Sequence, residues 1–123
     1  MSSILVVEDN LSSRQPMARL LRAEGYETFC VDNGQAALEV IGFMEPDLVL
    51  LDLMMPVMDG MEFLKILRQN VRWADLPVIV CTAKPPGDPC IQQARSYGVK
   101  DVFQKMNFSV DQLVTSIHRN LAA

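Results

Sequence analysis

Five side chains capable of chemistry each follow a short apolar run. Glu8 and Asp9 follow Ile4–Val7, and Asp52 follows Leu48–Leu51. Thr82 follows the run that ends at Cys81, and Lys105 comes two residues after Phe103. Singly, most have ordinary readings. An acidic pair caps a helix or sits in a solvated loop, a threonine ends a strand, and a lysine covers surface. Asp52 is less ordinary, because an ionised group after four buried aliphatics needs a partner. Together they point further. Three carboxylates on one edge repel unless a cation neutralises them. An all-oxygen set of this kind suits Mg²⁺. A hydroxyl and an ammonium beside such a site supply what a phosphoryl group needs: charge neutralisation and hydrogen-bond donors.

That convergence requires elements whose ends share an edge. Ile4–Val7, Glu27–Val31, Leu48–Leu51, Pro77–Cys81 and Val102-Phe103 read as five strands, the third the most apolar and so central. Between them run helical stripes: Met17, Leu20 and Leu21 before Gly25, then Ala37, Leu38 and Ile41 before Glu45-Pro46. Phe63, Leu64 and Leu67 follow Asp59-Gly60, and Ile91, Ala94 and Tyr97 precede Gly98. Leu113, Val114, Ile117 and Leu121 follow Ser109, with Gln112 at the capping-box spacing. Asn33-Gly34 reads as a turn, Lys84–Pro89 as a loop, and Pro16 as a first-turn residue or a kink. The alternation predicts an α/β domain, a parallel sheet covered on both faces, with ligands outside the carboxyl ends of its strands.

Composition agrees. The chain of 123 residues, half of them apolar, fits one domain with its own core. Eleven Lys and Arg against fifteen Asp and Glu leave a net charge of −4, a poor partner for nucleic acid or anionic lipid. No apolar stretch approaches the ~18 residues needed to span a bilayer, and the start lacks a secretory pattern. Cys30, Cys81 and Cys90 form no CxxC and read as reduced thiols, so the expected location is cytoplasmic. The methionines near position 55 and His118 read as packing and surface residues, and Cys81 as buried and inert.

Val6-Val7-Glu8-Asp9-Asn10, Leu51-Asp52-Leu53-Met54-Met55-Pro56-Val57-Met58-Asp59-Gly60 and Val80-Cys81-Thr82-Ala83 resemble the receiver domain of two-component response regulators. The resemblance spans essentially the whole chain. It implies one receiver domain over residues 1–123 with a flavodoxin-like (βα)5 fold and strand order 2-1-3-4-5. It implies that Asp52 accepts a phosphoryl group from a histidine kinase or phosphotransfer protein. Asp9 and Asp52 match direct Mg²⁺ ligands, Glu8 a ligand through water, and Met54 a backbone-carbonyl ligand. Thr82 matches the switch hydroxyl, Ala83 a phosphoryl-binding amide, and Lys105 the lysine of the acid site. The domain would be a switch rather than an enzyme. It would act on an unidentified protein partner or fused output domain, as a monomer or weak dimer, and touch neither nucleic acid nor membrane.

Three departures lie toward the fourth helix and fifth strand. Met106 stands where the family has proline. A non-proline cis bond costs about 2.5–4 kcal/mol, so Lys105–Met106 is expected to be trans. Val102 holds the position of the family's switch aromatic, and Phe103 should face the other side of the strand. Pro85, Pro86 and Pro89 leave little room for a regular fourth helix. These departures keep a degenerate, phosphorylation-independent interaction module as an alternative. A Mg²⁺-dependent phosphatase with an Asp nucleophile is a weaker one, since it needs a second Asp where Met54 stands.

Overall fold

The computed structural model describes residues 2–121; Met1, Ala122 and Ala123 of the expected 1–123 domain lie outside the described residues. Five parallel strands form the sheet: β1 (Ser3–Val7), β2 (Glu27–Val31), β3 (Leu48–Leu51), β4 (Val78–Thr82) and β5 (Asp101–Gln104). Their spatial order is β2-β1-β3-β4-β5, as expected. The helices are α1 (Leu11–Ala23), α2 (Gly34–Met44), α3 (Gly60–Gln69), α4 (Pro89–Ser96) and α5 (Val110–Leu121). None is long and apolar enough to cross a membrane.

Side-chain alternation divides the core in two. Leu5, Val7, Val49, Leu51, Val78 and Val80 face one layer with Ala37, Phe63, Leu64 and Ile91 of α2, α3 and α4. Ile4, Val6, Leu48, Leu50, Ile79 and Cys81 face the other, with Leu21, Leu113 and Ile117 of α1 and α5. The alternation decides where the chemistry falls. Glu8, Asp52 and Lys105 continue the parity of Val6, Leu50 and Phe103, on the α1/α5 side. Thr82 continues the parity of Val80, on the opposite side.

The boundaries have local causes. Asn10, Asn33, Asp59 and Asp88 each accept a first-turn amide and so start α1, α2, α3 and α4. Three expectations change as a result. Asn33-Gly34 is a helix start, not a turn, with Asn33 Oδ1 accepting the Ala36 amide at 2.8 Å. Pro89 does not belong to the preceding loop. It opens α4, where its missing N–H costs nothing, and a regular two-turn helix follows. Pro16 lies in the second turn of α1, which rules out the first-turn placement and leaves the Ser12 carbonyl without a helical donor. Lys105–Met106 is trans, as expected.

Val57 carries φ 68°, a left-handed conformation that a β-branched residue rarely adopts. The Met58 amide closes the turn onto the Pro56 carbonyl at 2.8 Å, and the Met58 carbonyl then accepts the Gly34 amide at 2.9 Å. Val57 is 82% exposed, so its side chain contributes little packing to set against the strain. Val57→Gly should therefore stabilise the domain by up to about 1 kcal/mol, raising the urea midpoint without changing the slope.

Candidate functional site

The site lies where strand order reverses, between the carboxyl ends of β1 and β3. Ladder hydrogen bonds run past the strands and fix its backbone. The Glu8 amide donates to Val31 O at 3.0 Å, the Asp52 amide to Val7 O at 3.0 Å, and the Lys105 amide to Thr82 O at 2.9 Å. Glu8 and Asp52 are buried, and Asp9 is exposed. One carboxylate oxygen from each lies within 4.8 Å of the others.

Lys105 joins the two buried acids. Its Nζ donates to Asp52 Oδ2 at 2.9 Å and pairs with Glu8 Oε1. The second oxygens are held by backbone amides: Asn10 N–H to Glu8 Oε2 at 3.1 Å and Met54 N–H to Asp52 Oδ1 at 3.2 Å. Burial pushes the Glu8 carboxyl above the usual range, and its bonds to Lys105 and Asn10 only partly offset this. Burial alone would lower Lys105, but hydrogen bonds to Glu8 and Asp52 outweigh it and hold the ammonium above its ordinary value.

The other expected residues stand at the edge of this cluster. Thr82 is fully buried at the end of β4, and its hydroxyl accepts the Lys84 amide at 3.2 Å. Among the described hydrogen bonds none joins Thr82 to Asp52, as its parity dictates. Ala83 is exposed. Met54 is half exposed, and its amide engages Asp52. The thioether at that position has no acidic proton, so it cannot act as the general acid of a phosphatase. Val102 packs into the α2/α3/α4 layer and Phe103 into the α1/α5 layer, on opposite faces as expected.

Sequence reasoning missed three supports. Arg14 donates to the Glu8 carbonyl at 3.0 Å and ties the β1–α1 loop to α1. Asn10 serves both as helix cap and as donor to Glu8. Gly60 lets the start of α3 press against the end of β3, since a Cβ there would lie 2.3 Å from the Asp52 carbonyl oxygen. The Asp59-Gly60 pair signals a helix start; nothing in it announces which backbone the helix will touch.

The chain matches known proteins over nearly its whole length. The family model "Response regulator receiver domain" matches residues 4–118. Sporulation initiation phosphotransferase F of Bacillus subtilis is 36% identical over 118 residues, covering 96% of this chain and 92% of that protein. DNA-binding response regulator MtrA of Mycobacterium tuberculosis is 40% identical over 81 residues, 66% of this chain but only 34% of its own length. The BeF3-activated N-terminal receiver domain of RstA from Klebsiella pneumoniae superposes with a TM-score of 0.89 at 27% identity, over 99% of this chain and 100% of that one. Chemotaxis protein CheY4 of Vibrio cholerae gives 0.87 at 29%, over 98% and 99%. The buried acid pair at the switch point, bridged by the lysine that follows β5, thus sits in a chain that belongs to the response regulator receiver domain family of two-component signalling.

Proposed function

We propose that Asp52 accepts a phosphoryl group from a histidine kinase or phosphotransfer protein in the cytoplasm, with Mg²⁺ at the acid edge, and that a protein partner reads the change. One observation carries this reading: Lys105 Nζ bridges the buried carboxylates of Glu8 and Asp52, with Asp9 beside them.

Both Asp52 oxygens are engaged before reaction, Oδ1 by the Met54 amide and Oδ2 by Lys105. Attack needs one oxygen released. An Asp52 oxygen then forms the new bond to phosphorus while the donor's P–N bond breaks, its electron pair leaving on the imidazole. Lys105 moves its hydrogen bond from the carboxylate to the phosphoryl oxygens, and the Ala83 amide and Thr82 hydroxyl complete their coordination. Thr82 must turn from its Lys84 contact to do so.

The donor set fits a hard divalent ion. Glu8, Asp9 and Asp52 offer only oxygens, within 4.8 Å, against roughly 4.2 Å across an octahedral Mg²⁺. Asp9 and Asp52 would hold it directly, Glu8 through water, with the Met54 carbonyl. Bound there, Mg²⁺ supplies charge neutralisation for the carboxylate nucleophile and the phosphoryl oxygens. Around a bound ion these carboxylates would serve as ligands, not as general acids.

Beryllofluoride, a phosphoryl mimic, tests the reading. The melting temperature should rise further with beryllium, fluoride and Mg²⁺ together than with Mg²⁺ alone, and Asp52→Asn should lose that further rise. The variant should also melt higher than the parent in chelator, because one charge of the cluster is gone. No further rise with the complete mixture would favour the phosphorylation-independent interaction module, the reading supported by the ringless Val102 at the switch position.

A further inference from the structure

Beneath the acid edge, between α1 and the start of α5, lies a cavity of about 360 Å³. It runs along the sheet from Asp52 and Lys105 toward Leu20 and Val110. Its floor is the middle of the sheet, where paired strands on both sides of β1 and β3 resist collapse. Ser13 on α1 and Cys81 on β4 both line it, and each carries a side chain smaller than leucine. Its size falls within the range of small-molecule sites, roughly 300–1,000 Å³.

The lining selects the occupant. Most of the wall is aliphatic, thioether or aromatic, from Met17, Leu20, Leu50 and Phe108. The charged groups at the inner end already satisfy one another through Lys105. An anion entering there would meet two carboxylates. A divalent cation would stop at the acid edge, where the oxygens are, and leave the apolar length empty. Burial pushes the Cys81 thiol up to about 11, so this wall is uncharged at neutral pH. A mostly apolar wall whose few charged groups already pair with one another favours a neutral apolar ring over an ion.

We propose that the α1/α5 cavity is a binding site for a small neutral aromatic molecule, adjoining the phosphoacceptor and sharing Glu8 and Asp52 with its metal edge. Lys105 and Asp52 form the inner wall, so an occupant restricts the lysine that must change partners during phosphoryl transfer. Occupancy and Mg²⁺ affinity are then linked, each changing the other by the same factor.

Indole is the probe, titrated into the metal-free protein in EDTA and followed by amide NMR. Saturable shifts should centre on Ser13, Met17, Cys81 and Phe108. Benzoate, of similar size but anionic, should bind at least tenfold more weakly. Ser13→Leu adds bulk from α1 and Cys81→Leu from the sheet, and each folded variant should lose at least tenfold in indole affinity. Ser13 is only half buried, so its variant keeps the test available if Cys81→Leu does not fold. The proposal is overturned by absence of saturable shifts up to the solubility of indole. It is equally overturned by benzoate binding as tightly, or by unchanged affinity in the filled variants. No phosphoryl transfer is involved, so failure of the phosphoacceptor reading leaves this outcome separately readable.

Discussion

Gly60→Ala should slow phosphorylation of Asp52 about 100-fold and destabilise the domain by about 1–3 kcal/mol. The new Cβ would lie 2.3 Å from the Asp52 carbonyl oxygen and 2.7 Å from Leu53 Cα. Both are backbone atoms, so no side chain can swing aside. Either α3 backs away or the end of β3 is pushed, and the second moves Asp52. The Gly60 amide also donates to Leu53 O at 3.1 Å, a bond that retreat of α3 would stretch. Gly42 provides the contrast. It sits inside α2 with nothing within 4 Å of its would-be Cβ. Gly42→Ala should stabilise by about 0.5–1 kcal/mol and leave the phosphorylation rate unchanged. Urea unfolding and a phosphorylation time course on the pair separate a general penalty for added volume from the specific contact.

Lys105→Met should cost about 1–3 kcal/mol at neutral pH without metal, through the two acids it leaves buried without a cation. The loss should shrink as pH falls. Burial already raises the Glu8 carboxyl above its value in the unfolded chain. A carboxyl raised on folding binds more protons in the native state, so its contribution favours folding at low pH. That contribution fades as pH rises from the unfolded value of 4.5 through the folded one. Removing Lys105 raises Glu8 further and widens this window upward. The parent has the opposite feature at the alkaline end, because Lys105 is itself raised. Its contribution is complete below the ordinary lysine value and is lost as pH climbs through the higher folded one. Urea unfolding at pH 5 and pH 8 should therefore show a larger gap between parent and variant at pH 8. Added Mg²⁺ should narrow that gap by resupplying positive charge.

Much of this is legible in the sequence. Apolar runs of four residues with an acid at the end define β1 and β3, because buried parallel strands show no polar alternation and end abruptly. The same signal placed Glu8, Asp9 and Asp52 on one edge. Strand parity was legible for Phe103, whose ring does lie on the face opposite Val102. What escaped depends on distance through space. The grip of Arg14 on the Glu8 carbonyl spans six residues, and the approach of Gly60 to Asp52 depends on how α3 seats on β3. Neither has a periodic signature. Asn33-Gly34 and Pro89 show a different limit. Asn-Gly and proline mark turns and helix starts alike, and only the packed continuation of Ala37 and Ile41, or of Ile91 and Ala94, selects the helix.

The most direct test is the intact mass of the protein after incubation with acetyl phosphate, with Mg²⁺ or with EDTA. The account predicts a gain of one phosphoryl group in Mg²⁺, none in EDTA, and none for Asp52→Asn under either condition. A folded protein that gains no mass in Mg²⁺ and shows no beryllofluoride response would contradict it, and so would a gain that survives in Asp52→Asn.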